Sequence, residues 1–106
     1  MGKIAIAAFR PKPGKEDELL QVMAKRLPLM RRLGLATDRT NITMRGADRT
    51  ILDISEWVDT AAIDRAHELP EVHELWRQYG TCCDYVKLDQ LAECHLDFAT
   101  FDAVSL

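Results

Sequence analysis

Two stretches in the middle of the chain alternate between apolar and polar residues, a period typical of β-strands. They run from Thr40 to Gly46 and from Thr50 to Val58, and Ala47-Asp48-Arg49 separates them, so they predict a β-hairpin. Pairing the strands across this loop places Met44 opposite Leu52. A shift by one residue would mix apolar and polar side chains on both faces, so the register is well specified.

The predicted hairpin has one apolar face and one polar face. The apolar face combines Ile42, Met44, Leu52 and Ile54. The polar face combines Asn41, Thr43, Asp53 and Ser55. Because an apolar sheet face must be covered, we expect helices to pack on that side. The polar side then either forms a hydrogen-bonded network across an interface or lines a cavity, and we favour the network because unpaired buried polar groups are costly.

The residues before the hairpin predict one strand and one helix. Lys3 to Phe9 is a short apolar run that ends in a turn rich in proline, and it predicts the first strand. From Lys15 to Arg32, leucines and methionines recur at intervals of three and four residues, which predicts a helix. Its first turn is acidic, and Gly34 suits the position just after its end.

The residues after the hairpin predict a helical region interrupted by proline and a last strand. Asp59 is a suitable N-cap for a helix through Glu68, and Pro70 fits the first turn of a second segment. Tyr85 to Leu88 predicts a fourth strand. The order βαββαβ predicts an α+β, ferredoxin-like fold, with an antiparallel four-stranded sheet and two helices on one face.

Composition narrows the class of protein. A length of 106 residues predicts a single domain, 1–106. Within it, the tail from Glu93 to Leu106 carries enough apolar residues that we expect it to dock on the domain or on a partner chain.

The net charge of −3 gives no reason to expect nucleic acid. The apolar run at the N-terminus is too short for a signal peptide, so we expect a cytoplasmic protein without a membrane segment.

The three cysteines predict reduced thiols rather than a disulfide framework, because their number is odd and Cys82 and Cys83 are adjacent. A vicinal pair is able to sense oxidants. However, helical spacing places Cys83 on an apolar face with Trp76 and Tyr79, where a small hydrophobic residue belongs. We favour packing in the core over a redox role.

The most specific pattern extends from the end of the third strand into the last helix. It consists of Glu56 and Trp57, a helix that ends on Ala66-His67, the break at Pro70, and the turn from Val72 to Trp76. In this pattern the chain resembles the small proteins grouped with antibiotic biosynthesis monooxygenases, within the dimeric α/β-barrel superfamily. Many members of the most similar subgroup have no assigned reaction.

The resemblance covers roughly Lys3 to Leu91. It implies a homodimer that forms through the open sheet face, so that two sheets build a dimeric α/β barrel. Members with known activity include oxygenases that act on electron-rich aromatic molecules without a cofactor. Others degrade haem and use an asparagine on the first strand, but Lys3 to Phe9 contains none. We therefore expect no bound cofactor and, as a ligand, a small aromatic molecule.

His67 is the candidate catalytic base, because it follows Ile63 by one turn and is expected to face the sheet. A buried histidine bonded to backbone is the more common arrangement of such a residue. The candidate walls of a slot for a planar ligand are Trp57, Trp76, Phe9 and Tyr79. Core packing is the more frequent role of such rings.

Asn41 and Arg45 are the candidates for polarising a ligand oxyanion. Arg45 has the alternatives of pairing with Asp53, steering an anionic ligand, or remaining solvated at a sheet edge. The histidines and cysteines do not reach the short paired spacings of zinc sites, so we expect no metal. The leading hypothesis is a cofactor-independent monooxygenase. The alternative is a non-catalytic homodimer that binds a ligand or another protein.

Overall fold

A computed structural model describes residues 2–106 and shows a layer of helices on one antiparallel sheet. The strands are β1 (Lys3–Pro11), β2 (Ile42–Arg45), β3 (Ile51–Trp57), β4 (Cys83–Val86) and β5 (Asp102–Ala103). The helices are α1 (Glu16–Arg32), α2 (Thr60–Ala66) and α3 (Pro70–Cys82). Over residues 2–106 the five strands lie in the order β4-β1-β3-β2-β5. Two short 3₁₀ turns, Leu88–Gln90 and Ala92–His95, connect β4 to β5.

The expected ferredoxin-like βαββαβ fold, with four strands and two helices, is wrong. The residues described form five strands and three helices, because the tail adds β5 beside β2. In this pair Met44 lies opposite Ala103, and the Val104 amide donates to the Thr43 carbonyl at 2.9 Å. The predicted break at Pro70 is confirmed and divides the helical region into α2 and α3, because Leu69, the residue before the proline, is extended (φ −96°, ψ 121°).

Two of the predicted helix ends are confirmed. Gly34 adopts a positive φ of 73° after α1, and the Leu35 amide donates to the Met30 carbonyl at 2.8 Å, which is the closing bond of a Schellman motif. The Asp59 carboxylate accepts from the Ala62 amide at 2.7 Å and caps α2. These two capping interactions determine where α1 ends and where α2 begins.

The predicted hairpin register is confirmed, since Met44 does lie opposite Leu52. The expectation that helices cover the apolar face is wrong. Ile51 and Phe9 point into the core beneath the helices, whereas Leu52 lies on the opposite side of the sheet and packs with Leu91. The polar residues of the hairpin therefore face α1, and the apolar residues face outward.

The outward side of the sheet is covered over only part of its area. Leu91 and Phe101, from the segment after β4, pack on Ala8 and Leu52. The remainder, which we name the outer apolar face, consists of Ile4, Ile6, Ile42 and Ile54. The first three of these are exposed by 53%, 49% and 57%. An apolar patch of this kind on a sheet is a feature of interaction surfaces.

Candidate functional site

A cluster of polar side chains is buried between α1 and the sheet. We name it the Asp53 cluster, and its members are Arg26, Asn41, Thr43, Asp53 and Ser55. Asp53 is only 4% exposed. Its carboxylate accepts from Asn41 Nδ2 at 3.1 Å and from Thr43 Oγ1 at 3.4 Å. Arg26 Nη1 lies 3.7 Å from Asp53 Oδ2 and donates to Ser55 Oγ at 3.4 Å.

The positions of Arg26 and Asp53 follow from their elements. Arg26 comes one helical turn after Val22 and Met23, which are both buried, so its side chain also points at the sheet. Its guanidinium carbon lies 5.6 Å from the centre of the Trp57 ring, a cation–π arrangement. Asp53 lies on β3 between the paired strands β1 and β2, at the middle of the sheet.

The electrostatic state of Asp53 is set mainly by its burial. Loss of solvent raises the pKa of this carboxyl, while the Arg26 charge and the hydrogen bonds from Asn41 and Thr43 oppose the rise. A carboxylate with a raised pKa accepts a proton more readily than an exposed one. Perturbed carboxyls of this kind are concentrated at functional sites, although structural ion pairs also produce them.

Within residues 2–106, four buried side-chain atoms lack a hydrogen-bond partner: Asn41 Oδ1, Thr50 Oγ1, Gln78 Oε1 and the Tyr79 hydroxyl oxygen. Tyr79 is 2% exposed. Burial raises the pKa of the Tyr79 hydroxyl. The Tyr79 ring stacks on Phe9 with centroids 4.9 Å apart.

The layer beside the cluster is partly open. Ala5 and Ala7 lie opposite Ser55 and Asp53 in the β1–β3 ladder, on the side that faces the helices. Both alanines are only half-buried, although Ala7 packs against the core. Three surface clefts of about 490, 510 and 230 Å³ lie elsewhere, and no member of the cluster lines them. Access to Asp53 is therefore expected along β1.

His67 does not face the sheet as expected. It is exposed at the end of α2, and its Nδ1 donates to the Ile63 carbonyl at 2.8 Å. Its ring lies against half-buried Trp76, with centroids 5.0 Å apart, and His73 donates to the His67 carbonyl. His67 and Trp76 thus come together at the corner between α2 and α3, and none of their bonds involves the Asp53 cluster.

The other predicted site residues separate into three groups. Asn41 belongs to the Asp53 cluster through its bond to Asp53, and Trp57 contacts the cluster through Arg26. Phe9 and Tyr79 form a stacked pair beside it. Arg45 lies apart, because its guanidinium pairs with the Glu16 carboxylate at 3.3 Å at the start of α1. The anionic partner of Arg45 is therefore a residue of the chain itself.

Sequence reasoning missed Arg26 entirely and took Asp53 for part of an interface. The available signal was the position of Arg26 within the apolar stripe of α1, after Val22 and Met23 and before Met30. A cation in a buried stripe needs an anion on the facing surface. Asp53, in the middle of a strand, is the residue that meets this requirement.

Two of the three cysteines behave as core residues, whereas Cys94 is exposed. Cys82 and Cys83 are buried, and both thiols donate to backbone carbonyls of α3, Cys83 to that of Tyr79 at 3.2 Å. Burial raises the pKa of Cys83 to about 12.

Within residues 2–106 no group of three or more His, Cys, Asp or Glu side chains is placed to hold a metal ion. None of the helices in this part of the chain is long and apolar enough to cross a membrane.

Comparison with known proteins gives a similarity of fold. The crystal structure of protein SO0527 from Shewanella oneidensis is similar with a TM-score of 0.60 and 22% sequence identity, over 79% of this chain and 88% of that chain. At this identity the similarity establishes a shared fold and nothing further. No family model matches the chain, and no curated protein matches it.

Proposed function

We propose that the protein oxidises an electron-rich aromatic molecule with molecular oxygen and without a bound cofactor, as the monooxygenases it resembles in sequence do. The observation that carries this proposal is the buried Asp53 carboxylate. It has a raised pKa and is held by Arg26, whose guanidinium lies over the Trp57 ring. Such a carboxylate supplies the proton acceptor that oxidation of this kind requires.

Anthrone illustrates the reaction. A base removes one proton from the CH₂ group, and the resulting carbanion is delocalised onto the carbonyl oxygen. The carbanion gives its electron pair to O₂, forms a C–O bond, and takes up a proton as a hydroperoxide. Loss of water then leaves a second carbonyl, so one anthrone and one O₂ become one anthraquinone and one H₂O. The protein supplies the base, a positive charge near the oxyanion, and a site that excludes bulk water.

Asp53 takes the role of base for which His67 was the sequence candidate. The Asp53 carboxylate is enclosed within the fold, whereas His67 is exposed and its Nδ1 is engaged with the backbone. Arg26 is the cation nearest to Asp53 in the cluster, and it is held in place by the Trp57 ring. It therefore fits the role of stabilising the oxyanion that forms when the substrate loses its proton.

Oxygen consumption with anthrone tests this proposal. The wild-type protein is expected to accelerate O₂ uptake and to produce anthraquinone. Asp53→Asn preserves shape but removes the base, so the rate is expected to fall by about 100-fold, the lower range for loss of a general base. His67→Ala serves as the matched control and is expected to retain the wild-type rate. O₂ uptake equal in the wild-type and Asp53→Asn proteins would refute the oxidation mechanism.

The second candidate function is a homodimer that binds a ligand or another protein without turnover. The outer apolar face favours it, because Ile4, Ile6 and Ile42 expose about half of their surface to water. Two copies related by a twofold axis would bury this face against itself, and such isologous contacts are the commonest in homo-oligomers. A dimer is compatible with the oxidation as well, since the Asp53 cluster lies on the other side of the sheet.

Analytical ultracentrifugation tests the homodimer. The wild-type protein is expected to sediment as a dimer, and Ile6→Lys as a monomer, because a buried lysine without a partner strongly disfavours the interface. Gln21→Lys, which changes an exposed position on α1, is expected to leave the dimer intact. A wild-type protein that is monomeric at micromolar concentration would refute the dimer. Ligand-dependent rises in Tm without O₂ uptake would select the binding function over oxidation.

A further inference from the structure

We infer that two copies of the protein pair along one edge of the sheet, through the first half of β1. On this side β1 has β4 as its neighbour only from Ala8 to Pro11. Within residues 2–106 no strand lies beside residues 3–7 on the β4 side. We name residues 3–7 the open edge. The inference rests neither on the oxidation nor on the contact through the outer apolar face.

The unpaired backbone groups of the open edge belong to Ile4 and Ile6. In a strand the amide and carbonyl of successive residues point alternately to the two neighbouring strands. The Lys12 amide donates to the last carbonyl of α3, just before β4, at 2.9 Å, so the even-numbered residues of β1 point to the β4 side. The Glu56 carbonyl, opposite Ile4 on β3, accepts from the Thr37 amide at 3.1 Å and therefore points away from β1. Both observations leave Ile4 and Ile6 without backbone partners in the described part of the chain.

The open edge is complementary to a second copy of itself. Two antiparallel strands related by a twofold axis at Ala5 place Ile4 of one copy opposite the partner's Ile6. Each such pair exchanges two backbone hydrogen bonds, so the two pairs satisfy the amides and carbonyls of all four isoleucines. This register opposes no like charges, because Lys3 meets the partner's Ala7.

The side chains of the open edge favour the same contact. Ile4 and Ile6 are exposed by 53% and 49%, and pairing places them beside the isoleucines of the partner on the outer side of the sheet. On the helix side the small Ala5 side chain meets its own copy across the axis. Edge strands that stay single usually carry a charge, a proline or a bulge. Residues 4–8 contain no charge and no proline, and their register with β3 is continuous.

Amide hydrogen exchange followed by NMR tests this pairing, because a hydrogen-bonded amide exchanges more slowly. The interface is small and therefore weak, so protein at about 50 µM is compared with protein at about 1 mM. The Ile4 and Ile6 amides are expected to exchange about tenfold more slowly at the higher concentration, which corresponds to pairing of about nine tenths of the chains. The Ala5 amide, which points to β3 by the same alternation, is the internal control and is expected to be protected equally at both concentrations.

Three variants identify the contact. Ile6→Pro removes one donor from each intermolecular pair and no bond within the chain, so the sheet is expected to persist and the Ile4 amide to exchange rapidly at both concentrations. Ile6→Val keeps the amide and is the matched control, and it is expected to retain the concentration dependence. Ile42→Lys alters the outer apolar face two strands away from β1 and is also expected to retain it.

Wild-type exchange at Ile4 that does not depend on protein concentration would overturn the inference. A dependence that survives in Ile6→Pro but disappears in Ile42→Lys would also overturn it, because that result assigns the protection to the outer apolar face. Concentration-dependent protection of Ile4 in a protein that consumes no O₂ with anthrone would support the pairing and refute the oxidation alone.

Discussion

Removal of Arg26 is expected to be among the most destabilising single changes in the protein. Arg26→Met keeps the length and apolar stem of the side chain but leaves the Asp53 carboxylate buried without its cation. At the 3.7 Å separation of Nη1 and Oδ2, an effective dielectric constant of about 20 gives an attraction of about 4 kcal/mol. Loss of one partner of a buried pair costs about 3–5 kcal/mol, so we expect the free energy of unfolding at pH 8 to fall by about 4 kcal/mol.

The same reasoning predicts that this loss depends on pH. A protonated Asp53 has no charge to compensate, so the difference between Arg26→Met and the wild type is expected to shrink as the pH falls from 8 to 3.8, which lies below the raised pKa of Asp53. Urea unfolding followed by circular dichroism at both pH values measures it. Lys25→Met, at an exposed neighbouring position on α1, is the control and is expected to change stability by about 0.5 kcal/mol or less.

Adding Asp53→Asn to Arg26→Met is expected to restore part of the lost stability, because the buried charge is then absent. The interpretation of the Asp53 cluster as a buried ion pair would be refuted by either of two results. One is an Arg26→Met protein within about 1 kcal/mol of the wild type at pH 8, well below the cost of breaking a buried pair. The other is a loss of stability that is equal at pH 8 and pH 3.8.

The remaining predictions concern pH, thiols and helix ends. Because folding raises the pKa of the Asp53 carboxyl above 3.8, the folded state binds this proton more tightly than the unfolded state does. The free energy of unfolding of the wild type, measured with urea and compared with that of Asp53→Asn, should therefore fall as the pH rises from 3.8 through the raised pKa and then level off. In native protein, Ellman's reagent should modify exposed Cys94 quickly and leave Cys82 and Cys83 unmodified until denaturant is added; three fast thiols would contradict their burial. Asp59→Ala should lower the free energy of unfolding by about 1 kcal/mol through loss of the N-cap of α2, and an unchanged urea midpoint would contradict that role.

Local features of the fold were predictable from the sequence. The hairpin register followed from strict alternation, and the caps at Gly34 and Asp59 followed from residue types with specific backbone roles. The fifth strand was not predicted, because Asp102–Ala103 is too short to show any alternation. Its formation depends on the free edge of β2, which a pattern along the chain does not reveal.

The side of the sheet that the helices cover was predicted wrongly for an electrostatic reason. Alternation separates an apolar face from a polar face, and the rule that helices cover the apolar one assumes that no helix brings its own charge inward. Arg26 does so and pairs with Asp53, so the polar face became the buried one. The orientation of His67 was predicted wrongly for a different reason: its backbone is still helical, but its ring bonds to the Ile63 carbonyl and stays exposed at the end of α2.

The short strand at the C-terminal end of the sheet bears on how copies of the protein behave when crowded. Without β5, the outer edge of β2 would have unpaired backbone amides and carbonyls. Another chain could pair with such an edge through backbone hydrogen bonds, and repeated pairing leads to aggregates. β5 occupies those groups but is itself only two residues long, and it carries the charge of Asp102. Because β5 is short and charged, a neighbouring chain can form few backbone hydrogen bonds with it. Aggregation by strand addition at this edge of the sheet is therefore disfavoured.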